Sequence, residues 1–132
     1  SKKTTVCTAI PYVNSVPHIG NILTDLSGDI TARYFRMRGQ DVFFQVGTDE
    51  NGLKIKEAAE AQGRDPHEFV GEIASRFQSI FDATQISYDD FIRTTEPRHV
   101  KASQELFRRL KANGHVYLGK YDGWYDVSTE TF

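Results

Sequence analysis

Between two stretches of helical periodicity stands Val42-Phe43-Phe44-Gln45-Val46, a nearly continuous apolar run. Such a run is the signature of a strand covered on both faces, as in parallel sheets. Upstream, Thr4-Thr5-Val6-Cys7-Thr8-Ala9-Ile10 is rich in β-branched residues and is stopped by Pro11, which predicts a first strand. Between the two, apolar positions 19, 22, 23, 26, 30, 34 and 37 form a helical stripe, and Gly39 is placed to cap its end. Strand, helix and buried strand in that order predict an α/β fold. The crossover is right-handed, the sheet is parallel, and helices flank it. In such sheets ligands bind beyond the carboxyl ends of the strands. That singles out two loops, residues 11–21 and 47–52.

The rest of the chain continues the pattern. Leu53 to Gln62 reads as a short helix closed by Gly63. Asp65-Pro66-His67-Glu68 is a helix start, with Asp at the N-cap and Pro at the first helical position, followed by the stripe Phe69, Val70, Ile73, Phe77, Ile80, Phe81. A short strand is expected around Phe91-Ile92. A further helix follows, capped by Thr94 or Thr95, with Pro97 in its first turn and Gly114 at its end. Its apolar face is Val100, Ser103, Leu106, Phe107 and Leu110. Its five Lys and Arg residues read first as a solvated face and second as an RNA-facing one. His115–Leu118 and Trp124–Val127, joined around Gly119 and Gly123, predict a C-terminal β-hairpin in which Tyr117, Tyr121, Trp124 and Tyr125 pack together.

Composition narrows the function classes. Sixteen Lys and Arg against eighteen Asp and Glu give a net charge of −2, which excludes a chain-wide basic field for nucleic acid. With a single cysteine, no intrachain disulfide and no multi-cysteine metal knuckle can form. Cys7 is expected to be a buried, inert thiol. No apolar run reaches membrane-spanning length, and Ser1-Lys2-Lys3-Thr4 opens no signal-peptide layout. A globular domain of a reducing compartment, the cytoplasm, is the expectation. His67 is expected to be solvated, and His99 and His115 have no acidic or cysteine partner at metal spacing.

The two loops carry the chemistry. His18-Ile19-Gly20-Asn21 stands where the first loop becomes the first helix, and a helix amino terminus attracts anions through its free N–H groups and its dipole. His18 and Asn21 can donate to phosphate oxygens, and Gly20 lets a nucleotide approach the backbone. The alternative is that His18 only caps the helix. Gly47-Thr48-Asp49-Glu50-Asn51-Gly52 follows the buried strand. An acid there suits a substrate ammonium group. The alternative is that Asp49 or Asn51 caps the next helix. No GxGxxG is present, so a dinucleotide site finds no support.

Ala9-Ile10-Pro11-Tyr12-Val13-Asn14 with Val16-Pro17-His18-Ile19-Gly20-Asn21 resembles the HIGH signature of the class I aminoacyl-tRNA synthetases, and specifically the methionyl-tRNA synthetase family. Gly47–Gly52 is similar to that family's GTDEHG segment. Phe91-Ile92-Arg93-Thr94-Thr95 and the stretch from Trp124 to Phe132 are similar to two further segments. The likeness runs from about Thr4 to Phe132. It implies the first half of a class I synthetase Rossmann (HUP-type) fold over 1–114 and the start of the connective insertion, the β-hairpin, over 115–132. It implies activation of methionine with ATP and transfer to tRNA(Met). His18 and Asn21 would be catalytic, and His18, Gly20 and Asn21 would bind ATP, which arrives with Mg²⁺. Ile10, Tyr12 and Asp49 would bind methionine. Asn21 stands where the motif often has a second His. Asp126 and Thr129 stand where many members have the cysteines that open a zinc knuckle, so no metal ligands are expected in this chain. The KMSKS half and the anticodon-binding domain would be the chain's partners, and no membrane is implied. Two other readings are a different HIGH-bearing nucleotidylyltransferase and a non-catalytic fragment that binds nucleotide or a partner.

Overall fold

The computed structural model describes residues 3–126, 129 and 131. Its elements are β1 (Lys3–Cys7), α1 (Ile19–Met37), β2 (Asp41–Thr48), α2 (Leu53–Glu60), α3 (Pro66–Ala83), β3 (Asp90–Arg93) and α4 (Pro97–Ala112). The strands form one parallel sheet in the order β1-β2-β3, with Val6 opposite Phe44 and Val46 opposite Phe91. The α/β fold with a parallel sheet and flanking helices therefore stands as expected. The first strand is shorter than its β-branched run, because Thr8 makes the last ladder bond, to Gln45 O, before the chain turns away. The chain divides into two compact units, Ser1–Val100 and Lys101–Phe132.

Two successive right-handed crossovers in the same direction put both sets of helices on one face of the sheet. Residues paired across a parallel ladder share a face, so Val6, Phe44, Val46 and Phe91 all point to that side. Phe44 and Val46 are wholly buried there. Helix α1 comes so close that a Cβ built on Gly28 would collide with the Thr8 methyl and come within 3.0 Å of the Phe44 ring. Helix α3 brings Phe69, Ile73, Phe77 and Phe81 to the same layer, with the Phe81 and Phe91 rings 6.0 Å apart. Asp65 starts α3 as its sequence predicts, accepting from the amides of His67 and Glu68.

The opposite face carries Thr5, Cys7, Phe43 and Gln45, and it is open. Phe43 is 45% exposed. The expectation that β2 is covered on both faces is therefore corrected, and so is the buried thiol, since Cys7 is exposed. Both follow from the crossovers, which stack α1 and α3 on one side only. Helix α1 itself has two apolar sides. Ile22 and Leu26 pack on the core, whereas Ile19, Leu23, Ile30, Tyr34 and Met37 form an exposed stripe.

The carboxyl-terminal half of α1 is tied to the segment leading into β3. Asp29 accepts from the Ser87 amide (2.7 Å), the Ser87 hydroxyl (2.5 Å) and Arg33 Nε (2.7 Å). Arg36 donates to the Ser87 hydroxyl and to Asp89, whose carboxylate also accepts from the Phe44 amide. The helix, the central strand and the edge of β3 are fixed by one set of charges.

In the second unit the expected hairpin takes a different form. Residues 115–118 form no strand and pair with none of 124–126; an antiparallel bridge joins Asp126 to Thr131 instead. Val127 lies outside the described residues. Trp124 is 96% exposed and Tyr117 87%, so these two do not pack as the expected aromatic cluster requires. Gly119 and Gly123 leave the segment between 115 and 126 without a tight two-residue turn to set a register. Arg108 and Arg109 of α4 both pair with Glu105, which matches the solvated-face reading of that helix.

Gly28→Ala tests the helix–sheet contact. Helix propensity favours the alanine by about 1 kcal/mol, but overpacking against Thr8 and Phe44 costs about 1–3 kcal/mol. The expected result is a lower urea midpoint with an unchanged slope; a higher midpoint would show that α1 can retreat.

Candidate functional site

The carboxyl ends of β1 and β2 point to one edge, and the two loops singled out by sequence meet there. Tyr12 and Asp49 form a parallel bridge that extends the β1–β2 ladder past a break. The Asp49 amide donates to Pro11 O (2.8 Å), and the Val13 amide donates to Asp49 O (3.2 Å). Val13 is wholly buried and anchors the first loop. The Tyr12 ring is half exposed and lies over Gly52, where an added Cβ would stand 3.8 Å from its Cε1. Ile10 is partly buried at the start of the same loop.

His18 is the N-cap of α1. Its Nδ1 accepts from the Gly20 amide (3.1 Å), and Asn21 Oδ1 accepts in return from the His18 amide (3.1 Å), a reciprocal capping box. The capping alternative is thus realised, and it does not compete with a role toward ligands. An Nδ1 that accepts a hydrogen bond leaves the ring proton on Nε2, so the neutral imidazole turns a donor outward. Asn21, with its oxygen used inward, keeps its amide hydrogens for another acceptor. His18 and Gly20 are exposed and Asn21 is half-buried. The arrangement can present an imidazole N–H, a carboxamide N–H and a helix amino terminus to one anion.

Asp49 does not cap α2. That cap is Gly52, at φ 145°, with no side-chain hydrogen bond. Asp49 Oδ1 instead accepts from the Asn51 amide (3.1 Å), an Asx turn that holds the carboxylate at the loop's surface. A carboxylate on a residue bridged to an aromatic one suits an ammonium group. His67 is exposed, and among the described residues no three His, Cys, Asp or Glu side chains gather into a metal-holding group.

Two acids escaped the sequence reading. Asp25 lies one turn beyond Asn21 on the same stripe of α1 and is 1% exposed. Its Oδ1 accepts from the Thr8 hydroxyl (2.5 Å), and its Oδ2 is buried without a partner. Burial pushes this carboxyl above its ordinary value, and the Thr8 hydrogen bond only partly opposes that. Glu50 follows Asp49 and points the other way, with its side chain wholly buried. It accepts from Arg93 Nε (2.5 Å) and Nη2 (2.9 Å), from Thr48 Oγ1 (3.0 Å) and from Thr95 Oγ1 (2.5 Å). Its own amide donates to Thr94 Oγ1 (2.8 Å). Apolar neighbours give no sequence sign of either burial; the nearest signal for Glu50 was that the 47–52 and 91–95 segments both carried the family resemblance. A cleft of about 460 Å³ opens beside the same loop, lined in part by Glu50, Asn51, Lys56, His67 and Thr95. Tyr12, His18 and Asp49 do not line it.

Asp25 and Asp29, on one helix, bend stability in opposite directions with pH. For Asp29, burial raises the carboxyl, but the Ser87 and Arg33 hydrogen bonds override it and hold it below its ordinary value. Its contribution is present above the unfolded value of about 3.9 and is lost as pH falls through the folded one. Asp25 is raised, so its contribution is present below about 3.9 and is lost as pH rises through its folded value. Denaturant melts across pH should show Asp29→Asn flattening the acid limb and lowering neutral stability by about 2–3 kcal/mol. Asp25→Asn should flatten the loss on the rising side. Identical profiles for the two variants would contradict the assignment.

Comparison with known proteins follows the same lines. The family described as tRNA synthetases class I (M) matches residues 4–132. The methionine–tRNA ligase of Halalkalibacterium halodurans is 50% identical over 125 residues, which is 95% of this chain and 19% of that protein. That of Thermotoga maritima is 50% identical over 127 residues, 96% of this chain and 20% of its own length. The structure of Mycobacterium tuberculosis methionyl-tRNA synthetase in complex with methionyl-adenylate superposes with a TM-score of 0.92 at 43% identity, covering 97% of this chain and 25% of that one. The chain thus spans about a fifth to a quarter of the relatives it matches.

Proposed function

The chain belongs to the class I tRNA synthetase family (M), and on that premise we propose that it acts as the N-terminal part of an enzyme that activates methionine with ATP to methionyl-adenylate and transfers it to tRNA(Met). The observation that carries this reading is the Tyr12–Asp49 bridge, because it brings the loop that ends in His18 beside the loop that carries an acid.

In this reading ATP, entering with Mg²⁺ as one substrate, lays its phosphates against the amino terminus of α1. His18 Nε2–H and the Asn21 amide donate to phosphate oxygens, and exposed Gly20 admits the nucleotide to the backbone. Methionine places its ammonium on Asp49, with the Tyr12 ring and the backbone of Ile10 as the near wall. Its carboxylate oxygen attacks the α-phosphorus, the bond to the β-phosphate bridging oxygen breaks, and pyrophosphate leaves. The protein's part is positioning and stabilisation of charge on the pentavalent phosphorus. Residues 1–114 serve as the first half of the catalytic domain and 115–132 as the start of the connective insertion. The KMSKS half and the anticodon-binding domain are the partners. The open outer edge of β1, the uncovered sheet face and the exposed stripe of α1 support that reading, since parallel sheets are covered on both faces. Among the described residues no helix is long and apolar enough to cross a membrane, and we place the enzyme in the cytoplasm.

The test is a chimera in which residues 4–132 replace the matching segment of the Thermotoga maritima ligase. Methionine-dependent ATP–pyrophosphate exchange is expected. His18→Ala should slow it by ~10²–10³, the worth of one donor to a developing charge, with little change in methionine KM. Asp49→Asn should raise the KM for methionine more than that for ATP. A folded chimera without exchange, or an unchanged rate in His18→Ala, would overturn the reading. The 132-residue chain alone should show no exchange above background; if it does, Lys54 and Lys56 are the lysines to substitute first.

A further inference from the structure

We propose that Glu50 is a positioning residue: it fixes the direction of Asp49 by locking the end of β2 to the end of β3. This rests on the role given to Asp49 above, but its geometry can be tested without any ligand.

Asp49 and Glu50 are successive residues of an extended segment, so their side chains leave opposite sides of the backbone. One side is held by the first loop, through Asp49 N–H to Pro11 O and Val13 N–H to Asp49 O. Those two bonds fix the backbone but leave the segment free to roll about its own axis. Glu50 removes that freedom. Its carboxylate takes four donors from three residues of two strands' ends, and its amide is held by Thr94 Oγ1. Thr94 N–H also donates to Thr48 O, which continues the β2–β3 ladder into the cluster. A close approach makes the lock possible: a Cβ on Gly47 would strike Ile92 O, so only glycine lets the strand ends come this near.

The chemistry fits positioning rather than contact with substrate. Glu50 is 6% exposed, and its charge is met by the bidentate Arg93 guanidinium. A buried carboxylate with every partner supplied is rigid, and breaking the set leaves an uncompensated charge, so the geometry is all-or-none. Asp49 is then aimed before any ligand arrives.

Amide hydrogen exchange on the 132-residue chain tests this. In Glu50→Gln, the amides of Asp49, Asn51 and Val13 should lose protection by about tenfold, the factor one net hydrogen bond supplies. Phe44 and Val46, in the interior of β2, should keep theirs. Thr95→Val removes one donor and no charge, and should give a smaller loss at the same three amides; it also keeps the test available if Glu50→Gln fails to fold. In the chimera, Glu50→Gln should raise the KM for methionine more than it lowers kcat. Loss of protection spread evenly through the sheet would make Glu50 a plain stability residue and overturn the proposal. Unchanged protection at Asp49, Asn51 and Val13 would overturn it too. Because exchange needs no methionine, its outcome stands apart from the fate of the synthetase reading.

Discussion

Parallel pairing on both sides of β2 is the constraint from which the rest follows. With β1 and β3 running the same way, all three carboxyl ends open to one edge, and every connection must cross the sheet to return. The crossovers share a hand and a direction, so helices accumulate on one face and the other stays open. The same pairing delivers the 11–21 loop and the 47–52 loop to neighbouring positions, although some 30 residues separate them in sequence. No side-chain contact is needed to bring Tyr12 beside Asp49; the ladder register does it, and the side chains refine the result.

Refinement falls to three buried or half-buried acids that differ only in their company. The Glu50 carboxylate meets a guanidinium and two hydroxyls. Asp29 meets a serine amide and hydroxyl with one arginine. Asp25 meets one hydroxyl and leaves an oxygen unmatched. Desolvation presses on Asp25 and Asp29 alike, and the number of donors decides which way each carboxyl is moved. Two of them cross-link elements distant in sequence, whereas Asp25 joins α1 to the residue that ends the β1 ladder.

What the sequence made legible was local. Asp65-Pro66 announced α3 because an N-cap acid and a proline need no tertiary partner to act. The stripe of α1 and the apolar run of β2 announced their elements for the same reason. Errors came where coverage is decided by topology. Phe43 and Cys7 look like core residues in any window, and only the side on which the crossovers place their helices leaves them exposed. The C-terminal hairpin was read from composition, without a turn dipeptide to fix its register. At the site, His18, Gly20, Asn21, Tyr12 and Asp49 were visible as residue types on loops. Asp25 and Glu50 were not, because a charged side chain reads as solvated in any window until a fold closes over it. His18 as cap and His18 as donor read as rivals from sequence, but the ring has two nitrogens, and the cap occupies only Nδ1.

That division of labour in the imidazole ties ligand occupancy to the integrity of one helical turn. The Nδ1 bond to the Gly20 amide favours the tautomer with its proton on Nε2 and fixes the ring, so fraying of the first turn of α1 loosens tautomer, amide and orientation together. A ligand that engages Nε2 therefore favours the wound turn over the frayed one. In the proposed reading, a ligand held there would stabilise that turn by about 2.7 kcal/mol at a hundred times its dissociation constant, so the order of the α1 amino terminus would follow the ligand's concentration.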